Sequence, residues 1–247
     1  MPSDDFYIGY EGRMPTSHAR AVRRAVVGAA LTLIAAATLF VSVQRPLADS
    51  RFAYGVTESW TGYLTRVPAP ALLVPDAGGV RRYWLVGRGK HGAASTIEGI
   101  ADGWARISGS EIVREPWRMV ELAAVEAIGA PPGVAQPRPP APDAGRRVTV
   151  AGEIVDSKCF LGVMNPGERA VHRDCAARCL SGGVTPMVVF KTDAGKTAIA
   201  VLVSGDGRPL FDLLRDRIGR PVELTGTLFE LEDTLVMRLE PPRERDR

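Results

Sequence analysis

Ala25–Val43 reads AVVGAALTLIAAATLFVSV, nineteen residues without a charge. A helix rises about 1.5 Å per residue, so this run spans about 29 Å, close to the thickness of a bilayer core. Residues 25–44 are therefore expected to form a single transmembrane helix. Arg13, Arg20, Arg23 and Arg24 precede the run, and Arg45 and Arg51 follow it. This excess of Arg on the N-terminal side predicts a cytoplasmic tail over residues 1–24 and an exported body after the helix. A cleaved signal peptide is the rival reading. Its apolar core would be shorter, about 7–15 residues, and Pro46-Leu47-Ala48 is a poor cleavage site. A buried core helix is disfavoured because such helices seldom lack a polar face. Phe6-Tyr7-Ile8-Gly9-Tyr10 forms an aromatic cluster in the tail, suited to the headgroup level or to docking on a partner.

The exported part is roughly 200 residues, enough for one large or two small domains. Formal net charge is +3, and Arg is spread along the chain rather than gathered into a basic stripe. On that ground nucleic acid is expected not to be a partner. The expected partners are the membrane and a membrane-bound or periplasmic protein complex.

Short β-rich runs fill residues 51–128: Trp60–Thr65, Ala71–Val74, Arg82–Val86, Ala105–Val113 and Met119–Leu122. Residues 129–146, GAPPGVAQPRPPAPDAGR, carry six prolines in eighteen positions and read as a stiff, extended linker. A second β-rich unit is expected over 147–241, with strands at Val148–Val155, Met187–Phe190, Lys196–Val203, Pro221–Leu228 and Thr234–Leu239. Leu210, Leu213, Leu214 and Ile218 share one side of a short helix before the last pair. Five strands arranged so suggest a small Greek-key barrel of the OB type. The first unit repeats the pattern loosely. The expected fold class is mainly β: one transmembrane helix, then two small OB-like barrels.

Chemistry concentrates at Cys159, His172, Cys175 and Cys179, which include every cysteine in the chain. Pro166-Gly167 and Ser181-Gly182-Gly183 bracket a helix on which His172, Cys175 and Cys179 fall at i, i+3 and i+7, within about 60° of one another. Cys159 follows a strand and a short turn, so a loop can fold it onto that face. Three readings stay open. A disulfide would join Cys159 to Cys175 or Cys179, since Cys175 and Cys179 project nearly parallel. A Cys3His set would suit zinc or copper, although the spacing C-x12-H-x2-C-x3-C lacks paired C-x2-C knuckles. Thiol chemistry using His172 is the third. Met164 and Met187 could add soft sulfur but fit core or loop as well.

Gly87-Arg-Gly-Lys-His-Gly92 lacks P-loop spacing and reads as a hairpin turn, with His91 a solvated turn residue. Trp84, Trp104 and Trp117 read as barrel core or rim. Glu111, Glu115 and Glu121 read as surface.

The run GEIVDSKC, then HRDCAARCLSGG and an apolar strand, resembles bacterial exported or membrane-anchored OB-like proteins carrying D-S-x-C, H-x2-C-x3-C and a Gly-Gly turn. The resemblance covers this stretch and extends over the second unit. It implies the fold and an extracytoplasmic compartment, and no reaction. The chain is therefore expected in a bacterial inner membrane, single-pass, with its N-terminus cytoplasmic and its C-terminal units periplasmic. The leading functional expectation is a non-catalytic accessory or assembly protein for a redox system. The alternatives are a copper or zinc protein and a thiol oxidoreductase.

Overall fold

The computed structural model describes residues 14–44, 49–77, 79–137, 145–205, 210–232 and 234–240. The aromatic cluster at 6–10, the candidate cleavage site at 46–48 and residues 138–144 of the Pro-rich stretch lie outside them. The chain divides into two compact units, Met1–Pro46 and Leu47–Arg247.

The first unit is helix α1, Thr16–Val43, 28 residues long. It starts ahead of the charge-free run because Arg and Ala are strong helix formers, and charge alone does not end a helix. Leu31, Leu33, Ile34, Leu39 and Phe40 are all exposed. Its hydroxyls turn inward: Thr32 Oγ1 donates to the Gly28 carbonyl at 2.9 Å and Ser42 Oγ to that of Leu39 at 2.8 Å. Such pairing leaves few polar groups for an apolar medium to desolvate. By length and composition α1 is able to cross a membrane.

The second unit holds two five-stranded, OB-like barrels of the same topology. The first uses β2 (Glu58–Thr65), β3 (Ala71–Asp76), β4 (Gly79–Val86), β5 (Gly103–Arg114) and β6 (Trp117–Ala127). A two-strand pairing adds β1 (Arg51–Phe52) to the edge of β5. The second barrel uses β7 (Arg146–Asp156), β8 (Pro186–Lys191), β9 (Thr197–Ser204), β10 (Pro221–Leu231) and β11 (Thr234–Leu239). In each, the first three strands form an antiparallel meander. The third strand pairs in parallel with the fifth, as β4 with β6 and β9 with β11. The fourth closes on the first, as β5 with β2 and β10 with β7.

Cross-strand register puts apolar side chains inside each barrel. Leu72 of β3 lies opposite both Leu64 and Tyr83, and Val188 of β8 lies opposite both Ile154 and Ala200. These pairs fill two separate interiors. A third core joins the barrels. Trp84, Ile112, Trp117 and Met119 of the first pack with Val155, Phe160, Met187, Val201 and Val236 of the second. Strands β3, β4 and β8 therefore bury both faces where they meet. That is why ALLV, YWLV and MVVF run as continuous apolar stretches instead of alternating.

Charged clamps cross the same seam. Arg82, whose side chain is 0% exposed, donates to both Glu232 carboxylate oxygens at 2.7 and 3.1 Å and lies over the Trp84 ring. Lys158 pairs with Glu121 and donates to the carbonyls of Gly87 at 2.8 Å and Gly89 at 2.6 Å. Arg114 donates to the Phe160 carbonyl at 2.8 Å and stacks on its ring. Two carboxylates expected at the surface are thus structural: Glu121 at the seam, and Glu111, 9% exposed and paired with Arg118. The expected core role of the tryptophans holds, with Trp84, Trp104 and Trp117 all buried.

Candidate metal centre

Strand β7 ends at Asp156, a carboxylate buried to 0% exposure. Its Oδ1 accepts the Cys159 N–H at 2.8 Å, three residues on, as an N-cap side chain does. That bond turns the chain into a single wide helical turn, Cys159–Val163, of the π type that often marks functional positions. Gly167 packs directly against the Cys159 carbonyl, leaving no room for a Cβ. The chain returns through a 3-10 turn, Ala170–His172, into α2, Arg173–Ser181. Gly182 and Gly183 end α2, with Gly183 at φ +87°. The expected helix is present but begins at Arg173. Its predicted first turn is 3-10, and His172 stands at the junction.

The four residues singled out by spacing come together. With Asp156 they group as two triads sharing Cys159: Cys159, His172 and Cys175, and Asp156, Cys159 and Cys179. Within each triad the ligand atoms lie within 4.8 Å of one another. Cys159 Sγ is 3.9 Å from Cys175 Sγ and 4.0 Å from Cys179 Sγ, and all three cysteines are free. A disulfide needs about 2.05 Å. Tetrahedral zinc with Zn–S bonds of about 2.3 Å places its sulfurs about 3.8 Å apart. His172 is buried, and its Nε2 lies 3.0 Å from Asp156 Oδ2. A carboxylate held on one imidazole nitrogen fixes the ring and leaves the other nitrogen to bind, the usual arrangement behind a histidine metal ligand. Met187 is fully buried in the shared core and Met164 is 47% exposed, so the first is packing and the second a surface residue.

The two buried sulfurs shift each other's proton affinity in opposite directions. A hydrogen bond to Cys179, then burial and the nearby Asp156 charge, push the Cys159 thiol well above its ordinary range. The same bond, with help from Lys90, holds Cys179 below its ordinary value. The contact therefore moves the proton affinities of the two sulfurs apart, raising that of Cys159 and lowering that of Cys179.

Spacing did not reveal three members of this neighbourhood. Asp156 was visible as the first residue of D-S-x-C but not as the anchor of Cys159 and His172. Lys158 lies between Asp156 and Cys159 yet points to the other barrel. Lys90, read as a turn residue, donates to Cys175 Sγ at 2.7 Å. Its loop is held by glycines: the Gly92 N–H donates to the Gly182 carbonyl at 2.9 Å, and a Cβ on Gly92 would overlap the Gly183 carbonyl. Gly92→Ala is accordingly expected to cost about 1–3 kcal/mol through overpacking at this backbone contact. Denaturant unfolding of the variant reads that loss, and an unchanged midpoint would show that the loop has slack.

No protein-family model matches the chain, and no curated protein matches it. Among solved structures, the chain matches a deletion mutant of the single-stranded DNA binding protein from Thermus aquaticus. Identity is 12%, over 79% of this chain and 85% of that one, with a TM-score of 0.19. The expectation of partners that excluded nucleic acid is corrected at this point. The matched protein is a single-stranded DNA binding protein by its own description. Small net charge is by itself no ground for excluding nucleic acid. Whole-chain charge averages over faces, whereas binding depends on one face. At that TM-score the match defines no ligand for this chain.

Proposed function

We propose that this is a membrane-anchored metal-binding protein, whose exported body holds one thiophilic ion, zinc or copper, at Cys159, Cys175, Cys179 and His172. The observation that carries the reading is the meeting of three free thiols, with Cys175 and Cys179 at 3.9 and 4.0 Å from Cys159, beside a buried imidazole braced by Asp156. Thiolate with imidazole suits zinc and copper and ill suits magnesium or calcium, which take oxygen. When bound, zinc would lend the second barrel rigidity; copper would add electron transfer. On this reading the protein is a non-catalytic accessory of a redox system, its N-terminus cytoplasmic and its barrels periplasmic. The Arg bias around α1 supports that orientation.

Metal analysis and thiol counting on the full chain in detergent test it. The expected result is about one equivalent of metal, and three titratable thiols after chelation under denaturing conditions. One thiol and no metal would overturn the reading and point to a Cys159 disulfide, the starting point for thiol oxidoreductase chemistry.

A further inference from the structure

We propose that Lys90, brought in by the first barrel, is the counter-cation of the metal–thiolate centre in the second, so that both barrels together build one site. The inference rests on the metal reading above. Three thiolates around a divalent ion leave a net charge of −1, and the buried Asp156 carboxylate lies alongside. An anionic centre half-shielded from water needs a cation close by. Lys158 is near in sequence, but Glu121 takes its charge. Lys90 Nζ is 2.7 Å from Cys175 Sγ, an N–H···S contact with a charged donor.

An exposed lysine ordinarily wanders, and ordering it costs side-chain entropy. Here the backbone on both sides of Lys90 is pinned to the segment that carries the sulfurs. Lys158 grips the carbonyls of Gly87 and Gly89, next to Cys159 in the chain. Gly92 is bonded to Gly182 past the end of α2. Gly182 itself sits against the Lys90 carbonyl, where a Cβ would overlap it. The six residues from Gly87 to Gly92 thus form a strap across the cysteine helix, and its glycines are the means of close approach. Lys90 is a positioning residue: it binds no metal but sets the charge and hydrogen bonding of a sulfur that does.

The test is cobalt(II) titration of the full chain in detergent, read by affinity and by the thiolate-to-cobalt charge-transfer band. Lys90→Gln is expected to weaken cobalt binding about 10-fold, as loss of an outer-shell partner does. It should also move the band to lower energy, because Cys175 Sγ loses a charged donor. Lys90→Arg should restore most of both. Gly182→Ala, which lifts the strap without touching the ammonium, should reproduce the Lys90→Gln result. A merely structural lysine would move neither the band nor its rescue by Arg. If wild type binds cobalt and Lys90→Gln matches it in affinity and band, the proposal is overturned while the metal reading stands. A wild type that binds no cobalt overturns the metal reading itself.

Discussion

Cys159→Ser is expected to abolish stoichiometric metal binding, whereas chelation of the wild-type protein should merely reverse it. The reason is topological. Cys159 belongs to both triads, so its loss breaks both at once and leaves Cys175, Cys179 and His172 without the vertex around which they gather. A ligand that binds the native state alone stabilises it by about 4.1 kcal/mol at a thousand times its Kd. That increment, measured as wild-type denaturant unfolding with zinc minus unfolding with chelator, should vanish in the variant. A second loss is separable. Cys159 is 4% exposed within the shared core, so a serine hydroxyl there costs about 1–3 kcal/mol in chelator as well. Cys179→Ser is the comparison: it removes a buried sulfur and one ligand but leaves the Cys159, His172, Cys175 triad, so metal binding should weaken rather than vanish. A Cys159→Ser protein that still carried an equivalent of zinc would sink the shared-vertex argument.

The barrels were legible because strand order and strand spacing carry them. Every strand expected from β-branched runs and turn punctuation lies within a strand of the structure apart from a residue at its margin, such as Lys196 before β9. Five strands of that spacing leave few closed topologies. The cysteine cluster was legible for a local reason: helical spacing puts His172, Cys175 and Cys179 on one side whatever the tertiary fold. What escaped the sequence is what joins the barrels. Lys90 and Cys175 are 85 positions apart, and Lys158 and Gly87 are 71. No period or motif connects such residues. Glu121 read as surface because it follows the outward register of β6, and outward there means toward the second barrel. One signal was available in principle. The apolar runs in β3, β4 and β8 leave no polar face, and a small barrel with strands apolar on both faces requires a second layer.

Lys158→Met should be the most destabilising substitution at the seam. The Lys158 side chain is 3% exposed and that of Glu121 15%, so removing the ammonium leaves a largely buried carboxylate without its counter-ion. Breaking such a pair costs about 3–5 kcal/mol. The carbonyls of Gly87 and Gly89 lose a charged donor in the same step. Glu121→Gln should cost less, because the amide oxygen can still accept from Lys158. The double variant Lys158→Met with Glu121→Gln should be more stable than the sum of the two losses, since no unpaired charge remains. Denaturant unfolding of the four proteins measures that coupling; a sum that is simply additive would show that the pair is solvated. The site feels the change as well. Lys158 adjoins Cys159 and holds the strap that carries Lys90, so Lys158→Met should weaken metal binding through the displaced strap, but by less than Cys159→Ser, because every sulfur remains. That ordering separates the ligand that both triads share from the clamp that brings the first barrel to it.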